Sequence, residues 1–309
     1  MANINYPVGN NDDVEQNKID ILNKVDKVTG KGLSTEDYTT EEKAKMANVP
    51  ENTTASLAEN MQYQNELSQQ SNGVKFVAHR GASQVFPENS IPAYQSAGKS
   101  GFWGAECDIS PTSDGVWVLM HDDTIDRTTN GTGNVNALTL AQIKAFNIDI
   151  GANIGLYPNL KVPTLEEYLI TCKNYNLVPY IEIKGITSAT NYDSLIELIR
   201  KYGFEAKCII ISGYIESLQE IRLRTKLVHL QYVVNAIYAT TFPDAIALGN
   251  SSLGLEYTIA TQLLIGQVHD NGLKVGVWTV NDYSTAKTMI EYGVDFITSD
   301  LISNVRWEL

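Results

Sequence analysis

The feature that most constrains the fold is an eightfold alternation of short β-branched segments with helical segments, beginning near Val74. The strand-like segments read VKFVAH, GAECDIS, LVPYIEIK, KCIIIS, KLVHLQYVV, SSLGLEY, KVGVWTV and VDFITS. Segments between most of them, such as NYDSLIELIRKYG, have helical periodicity, and several end at a glycine suited to a C-cap. This alternation predicts an α/β fold with a parallel sheet, and eight strands favour a closed (β/α)₈ TIM barrel. Spacing alone leaves an open doubly wound sheet as an alternative.

The first 72 residues differ in character from the rest of the chain. They are rich in Asn, Asp, Glu, Gln, Lys and Thr and have few aromatic residues, so they cannot form much of a core. Val14, Ile21 and Val28 recur every seven residues, which favours one helix with a narrow apolar stripe and a homo-oligomer, a trimer, formed through it. We therefore expect a small, mostly helical or flexible N-terminal segment over residues 1–72 and a barrel domain over residues 73–309.

The charge of the chain limits its partners. The net charge is −13 over 309 residues, so general affinity for nucleic acid or anionic lipid is not expected, and a phosphate-bearing substrate would need local cations. The N-terminus has no signal peptide pattern, and no apolar run is long enough for a transmembrane helix, so we expect synthesis in the cytoplasm. Cys107, Cys172 and Cys208 match no zinc or disulfide pattern and are expected to be buried free thiols.

Four strand endings are unusually polar, and strand ends are where barrels place their active sites. They carry Ala78-His79-Arg80-Gly81, Glu106-Cys107-Asp108, Met120-His121-Asp122 and Glu182-Ile183-Lys184. Strand side chains alternate between the two faces, so Glu106 and Asp108 point to one side, as do Glu182 and Lys184. Three carboxylates and a lysine should therefore converge on the barrel mouth.

Such an acidic cluster needs positive charge to hold it together. A hard divalent cation, Mg²⁺ or Ca²⁺, suits carboxylate ligands. The alternative is a metal-free salt-bridge cluster neutralised by Arg80 and Lys184. His79 and His121 favour catalysis, because two histidines at one mouth can act as a general base and a general acid. His229 and His269, by contrast, are interpreted as structural.

Several ordered motifs between about Phe76 and Asp300 resemble those of the glycerophosphodiester phosphodiesterase family. They are AHRG, PENS, ECD, SDG, HDDTIDRTTNGTG, PTLEE, EIK and VWTVND. The resemblance implies a phosphodiesterase of the phospholipase-C-like TIM-barrel type that hydrolyses glycerophosphodiesters. It also implies a long insertion over the mouth, here about residues 122–160. Glu88 and Asn89 of PENS are expected to shape the first loop and to cap the helix after it.

The resemblance further implies roles for individual residues. His79 and His121 would be the catalytic acid and base, and Glu106, Asp108 and Glu182 would bind one divalent metal ion. Arg80 and Lys184 would hold the phosphate, and Trp278 would form an apolar wall of the substrate cleft. Either water or a neighbouring glycerol hydroxyl could be the nucleophile, the latter through a cyclic phosphate.

Residues 28–49, VTGKGLSTEDYTTEEKAKMANV, resemble segments of phage tail and baseplate proteins. That resemblance implies association with phage tail proteins in a virion, action at the host cell surface, and a teichoic acid with glycerol-phosphate links as substrate. The alternative interpretation of this segment is a flexible or oligomerising linker in a bacterial enzyme. Two other functions remain open: a non-catalytic receptor-binding module of a phage tail that recognises a surface glycopolymer, and a lyase that acts on lysolipids.

Overall fold

The computed structural model describes residues 73–300, and in this range the chain forms a closed parallel barrel. The predicted N-terminal helix, its trimerisation and the phage-like segment lie outside the described residues. The eight barrel strands are β1 (Lys75–Ala78), β2 (Gly104–Pro111), β4 (Val178–Ile183), β5 (Ile209–Ser212), β6 (His229–Val234), β7 (Ser251–Glu256), β8 (Lys274–Trp278) and β9 (Phe296–Ser299). Each pairs in parallel with its neighbour, and β1 pairs with both β2 and β9. The predicted TIM barrel is confirmed, and an open sheet is excluded.

One further strand was not predicted from the sequence. The short β3 (Trp117–Leu119) pairs antiparallel with the end of β2, with Ile109 opposite Leu119 and Pro111 opposite Trp117. The chain therefore leaves β2, turns at Thr112–Gly115 and runs back, and the backbone N–H of Met120 donates to the carbonyl oxygen of Asp108. This return brings the residue after Met120 next to the acids of β2.

Eight α-helices occur among residues 73–300. They are α1 (Ile91–Lys99), α2 (Leu140–Ala145), α3 (Leu165–Tyr175), α4 (Ala189–Lys201), α5 (Ile215–Arg224), α6 (Thr241–Leu248), α7 (Gln262–Asp270) and α8 (Tyr283–Tyr292). The PTLEE motif is a helix start, because Thr164 and Glu167 form a capping box at α3. Short 3₁₀ turns cover Val135–Ala137, Ile154–Leu156 and Tyr257–Ile259. None of the helices between residues 73 and 300 has the length and hydrophobicity needed to cross a bilayer.

The segment between β3 and α3 has its own small core. Its buried apolar side chains pack together rather than joining the main barrel core, and they are Val118, Met120, Ile125, Val135, Ile143, Ile148 and Val162. Single β-bridges join Thr124 to Asn134 and Thr129 to Ile148. This segment corresponds to the predicted insertion, and its packing gives it a defined shape beside the barrel mouth.

Two buried polar arrangements stabilise the barrel wall. Gln231 on β6 accepts from the hydroxyl of Tyr180 at 2.5 Å and donates to Ser252 Oγ at 3.1 Å. Gly254 and Gly276 leave room for it, since a Cβ atom at Gly276 would lie 2.8 Å from Gln231 Nε2. Arg222, only 7% exposed, donates to the backbone carbonyls of Thr225, Val228, Gly249 and Asn250. The three cysteines are buried and free, as expected.

Candidate active site

The three predicted metal-binding carboxylates meet at one end of neighbouring strands. Glu106 and Asp108 lie on β2, and Asp108 is directly opposite Glu182 of β4 in the parallel register. Each of the three offers an oxygen atom, and these atoms all lie within 4.8 Å of one another. The alternation argument from the sequence is thus confirmed in its geometry: the side chains of residues 106 and 108 share a face, and β4 supplies the third carboxylate at the same level.

The acids of this cluster differ in electrostatic environment. Burial raises the pKa of Glu106 well above its usual range, and the negative charges of Asp108 and Glu182 add to this effect. Burial also opposes ionisation of Asp108, but Lys184 and Arg80 outweigh it and lower its pKa. Burial is the main cause that raises the pKa of Glu182. The cluster therefore holds one strongly stabilised carboxylate and two that would gain from further positive charge.

Two cations already lie against the cluster. Lys184 Nζ is 3.1 Å from Glu182 Oε1 and 3.3 Å from Asp108 Oδ1. Arg80 Nε is 3.2 Å from Asp108 Oδ2, and the Arg80 backbone N–H donates to Glu106 Oε2 at 2.9 Å. Arg80 has a positive φ of 55°, and the adjacent Gly81 has a φ of 78°. A Cβ at Gly81 would lie 2.8 Å from Ala93, so glycine is needed for the turn that aims Arg80 at the acids.

His79 follows β1 directly and is oriented by the carboxylate of Asp300, the residue directly after the last barrel strand. Its Nδ1 lies 2.6 Å from Asp300 Oδ1. Asp300 in turn accepts from Asn281 Nδ2 at 2.6 Å and from Ser83 Oγ at 3.3 Å. Burial opposes the charge of Asp300, but the hydrogen bond with His79 lowers its pKa below the usual range. With Nδ1 engaged, Nε2 is the ring nitrogen left to face a substrate.

His121 is held in a similar way by a different aspartate. It follows the antiparallel β3, and its Nδ1 lies 2.6 Å from Asp122 Oδ1. Hydrogen bonding to Arg127, and then to His121, lowers the pKa of Asp122 to about 2. Arg127 comes from the insertion and also contacts Glu88. Each histidine thus has an aspartate on Nδ1, and the two aspartates come from different parts of the chain.

The PENS motif contributes differently from what the sequence analysis predicted. The helix cap at α1 is Ser90, whose Oγ accepts from the backbone N–H of Ala93. Asn89 does not cap the helix: its Nδ2 donates to Asp108 Oδ2 at 2.7 Å, and its Oδ1 accepts from the Asp108 backbone N–H. Asn89 adopts a positive φ of 51°, which turns its side chain towards β2 instead of along the helix axis. Glu88 pairs with Arg80 at 3.1 Å.

The predicted residues line one cavity of about 320 Å³, a size typical of a small-molecule site. Its lining includes both histidines, both cations, two of the acids and Trp278, and in full it is His79, Arg80, Glu106, His121, Glu182, Lys184, Ile211, Gln231, Val233, Trp278, Thr279 and Thr298. Asp108 lies behind this wall and is fully buried. His229 and His269 do not line the cavity; they bond to Ser252 and Asp295 respectively.

Sequence reasoning missed the partners of the catalytic candidates. Asp122 lies within a family-like motif and Asp300 at the end of the similar region, but the sequence assigns neither of them a role. Arg127 was likewise part of a motif without a function. A polar residue directly after a barrel strand was the available signal for Asp300, and adjacency to a histidine was the signal for Asp122. Neither signal says which aspartate would reach which ring.

The carboxylate cluster has buried oxygen atoms that a divalent cation could bind. Among residues 73–300, Glu106 Oε1 is a buried carboxylate oxygen that accepts no hydrogen bond, and Asp108 Oδ1, also buried, has only the Lys184 ammonium at 3.3 Å beside it. Buried carboxylate oxygens with so little compensation are unfavourable, and a divalent cation would satisfy both. All the available ligand atoms are hard oxygens, which suits Mg²⁺ or Ca²⁺ better than a thiolate-preferring metal.

Comparison with known proteins identifies the family. Residues 79–303 match the glycerophosphoryl diester phosphodiesterase family. A glycerophosphodiester phosphodiesterase from Caldanaerobacter subterraneus is 34% identical over 237 residues, which cover 74% of this chain and 97% of that protein. One from Bacillus subtilis is 32% identical over 240 residues, covering 71% of this chain and 80% of the relative.

A solved structure supports the fold. It is a phosphodiesterase from Oleispira antarctica in complex with the product sn-glycerol-3-phosphate, which superimposes with a TM-score of 0.69 at 24% identity. The match covers 75% of this chain and 94% of that one. The fold, the family match over most of the barrel and the relatives agree: this chain is a phosphoric diester hydrolase that belongs to the glycerophosphoryl diester phosphodiesterase family.

Proposed function

We propose that the cavity hydrolyses glycerophosphodiesters to an alcohol and glycerol phosphate with the help of one divalent cation, Ca²⁺ or Mg²⁺. The observation that carries this proposal is the convergence of three carboxylates, two histidines and two cationic side chains at one cavity. In a chain with a net charge of −13, Arg80 and Lys184 supply local positive charge for a phosphate.

Glu106, Asp108 and Glu182 would hold the cation. Glu106 Oε1 and Asp108 Oδ1, which accept no hydrogen bond, would be direct ligands, and Asn89 fixes the remaining oxygen of Asp108. When bound, the cation supplies Lewis-acid polarisation of a phosphoryl oxygen. Arg80 and Lys184 would grip the other phosphate oxygens, the guanidinium by its planar fork and the ammonium as a point charge. Trp278 would form an apolar wall beside them.

His79 and His121 would carry the two proton transfers. One histidine takes a proton from the nucleophile as its oxygen bonds to phosphorus, and the other gives a proton to the alcohol oxygen as its bond to phosphorus breaks. The nucleophile is either water or a neighbouring glycerol hydroxyl, and in the second case a cyclic phosphate is then opened by water. The Nδ1 atoms of His79 and His121 are hydrogen-bonded to Asp300 and Asp122, so both proton transfers would use Nε2.

The test is turnover of glycerophosphocholine by the full-length protein with Ca²⁺, with Mg²⁺ and with EDTA. Metal-dependent release of choline and glycerol phosphate is the expected result. His79→Ala and His121→Ala should each lower kcat by roughly 10²- to 10⁴-fold, the usual contribution of general acid–base catalysis. His269→Ala, a histidine outside the cavity, serves as the matched control.

The same variants separate an enzyme from a binding module. With His79→Ala, an enzyme loses turnover and keeps its affinity for the substrate. A pure binding module shows no turnover before or after the substitution, and its affinity is unchanged. A chain without turnover of any tested phosphodiester under any metal would refute the proposed activity.

A finer proposal concerns the substrate. The resemblance of residues 28–49 to phage tail proteins supports a poly(glycerol phosphate) teichoic acid, cleaved at the host surface by a virion-associated enzyme. Parallel assays with this polymer and with glycerophosphocholine test it, since a strong preference for the polymer is expected. The trimer prediction would be wrong if the full chain, like a chain that starts at residue 73, had the mass of a monomer in solution.

A further inference from the structure

Arg127 makes four hydrogen bonds to two carboxylates that do not bind the proposed metal. Its Nε and Nη2 donate to the two oxygens of Asp122, and its Nη1 and Nη2 donate to the two oxygens of Glu88. The two Glu88 bonds measure 3.0 and 2.7 Å. A guanidinium is planar and presents its N–H groups in a fixed fork, so both carboxylates are held at defined angles.

Each of these carboxylates holds one residue of the site. Asp122 Oδ1 is 2.6 Å from Nδ1 of His121, and Glu88 Oε1 is 3.1 Å from Nη1 of Arg80. Arg127 itself does not line the central cavity; it lines a neighbouring one of about 210 Å³. Arg127 is therefore not one of the residues that face the substrate. One carboxylate separates it from the proton-transferring His121, and another separates it from the phosphate-binding Arg80.

The other histidine has no such link. Asp300, the partner of His79, accepts from Asn281 and Ser83, which are both neutral. No arginine or lysine forms an ion pair with Asp300 in residues 73–300. A change at Arg127 should therefore act on the His121 and Arg80 side of the site and leave the His79 dyad in place.

The stability of the fold does not explain this arrangement. The Arg127 side chain is 44% exposed, and exposed ion pairs contribute about 0–1 kcal/mol to folding. Arg127 also belongs to the insertion, whose core consists of other, apolar residues. Loss of its four bonds should thus leave the barrel folded and remove only the restraint on the orientation of two side chains.

We propose that Arg127 is a positioning residue that sets His121 through Asp122 and Arg80 through Glu88, and so couples the proton-transfer and phosphate-binding groups of one active site. The inference rests on the proposed roles of His121 and Arg80. It assigns functions to Arg127, Asp122 and Glu88 that act through their neighbours and not on the substrate.

The experiment compares Arg127→Met, Arg127→Lys and Arg127→Ala in the full-length protein, with glycerophosphocholine and Ca²⁺. Arg127→Met should lower kcat about 10- to 100-fold, because small displacements of a catalytic group cost up to about 10²-fold. It should also raise KM, because Arg80 loses its support. Arg127→Lys should keep only part of the wild-type activity, since an ammonium cannot donate two hydrogen bonds to each of the two carboxylates. Millimolar methylguanidine should partly rescue Arg127→Ala.

Double variants test the coupling directly. Because Asp122→Asn and Arg127→Met interrupt the same path, the double variant should lose no more kcat than the worse single variant. Likewise, the double variant Glu88→Gln with Arg127→Met should raise KM no more than the worse of its two single variants. The matched control is Arg200→Met, which removes another arginine with an acidic partner, 46% exposed and outside the site.

Two results would overturn the inference: kcat and KM of Arg127→Met within twofold of wild type, or fully additive effects in both double variants. The proposed function is checked separately, by wild-type turnover and its loss in His121→Ala. If those hold while Arg127→Met is silent, only the role of Arg127 is wrong.

Discussion

Replacing Glu106 with glutamine should stabilise the metal-free protein and abolish its stabilisation by metal. Glu106 is 1% exposed and lies with Asp108 and Glu182 in a cluster whose oxygens are within 4.8 Å of one another. Without metal, and at a pH that ionises all three acids, these buried negative charges face mainly Arg80 and Lys184. Glutamine has nearly the same shape, can still accept the Arg80 backbone N–H through its amide oxygen, and offers an NH₂ group to the remaining acids.

The magnitude follows from Coulomb's law. Two unit charges 4.8 Å apart repel by roughly 3.5 kcal/mol at an effective dielectric constant of ~20. Glu106 faces two such neighbours, and Arg80 offsets much of this repulsion. We therefore expect Glu106→Gln to raise the free energy of unfolding by about 1–2 kcal/mol in EDTA. For a domain of this size that corresponds to a rise in Tm of roughly 2–8 °C.

Added metal should reverse the order of the two proteins. Calcium at about 100 times its Kd stabilises a protein that binds it by about 2.7 kcal/mol. Wild type should gain this stabilisation, and Glu106→Gln, which lacks one ligand charge, should gain little of it. In EDTA the contribution of Glu106 to wild-type stability should be lost as the pH rises from its unfolded pKa through its folded-state pKa, which burial and its acidic neighbours raise. The variant should lack this part of the pH dependence.

The assay is thermal unfolding of the full-length protein in EDTA and in Ca²⁺, at several pH values. Glu197→Gln is the matched control, because it removes the same charge from an exposed position of α4 and should leave both curves unchanged. A lower Tm for Glu106→Gln in EDTA would refute the charge-repulsion argument. A calcium shift as large as that of wild type would show that Glu106 is no ligand.

Three further predictions concern the scaffold. Gly276→Ala places a methyl group 2.8 Å from Gln231 Nε2, which Tyr180 and Ser252 hold in place, and should lower the free energy of unfolding by about 1–3 kcal/mol in urea titrations. Arg222→Met removes a donor from four backbone carbonyls, of which those of Val228 and Asn250 keep a second donor, and should lower the free energy of unfolding by about 2–4 kcal/mol, whereas Arg200→Met should change it by less than about 0.5 kcal/mol. The pKa of Asp122 is lowered to about 2 by Arg127 and His121, so its contribution to stability should be complete above its unfolded pKa and disappear as the pH falls towards 2. Urea unfolding of wild type and Asp122→Asn between pH 2 and 6 checks this: both proteins lose stability in acid through other carboxylates such as Glu88 and Asp300, and wild type should lose more.

Much of the fold could be predicted because its pattern is local. Each barrel strand is a short β-branched run and each helix has its own periodicity, so the eight parallel strands were all recognised. The antiparallel β3 was missed, because three apolar residues, Trp117–Leu119, have no period to detect. Its consequence is functional: the reversal of the chain, and not the end of a parallel strand, brings His121 beside Asp108.

The candidate site shows the same division. The clustering of Glu106, Asp108 and Glu182 could be predicted, because alternation fixes the faces of a strand and a barrel gathers its strand ends at one mouth. The pairing of His79 with Asp300 joins residues 221 positions apart and depends on closure of the barrel between β1 and β9. The sequence by itself therefore determined which residue types reach the barrel mouth. Only the tertiary structure decided which carboxylate orients each histidine and that Arg127 joins Asp122 to Glu88, because such contacts depend on distances between segments that no local period encodes.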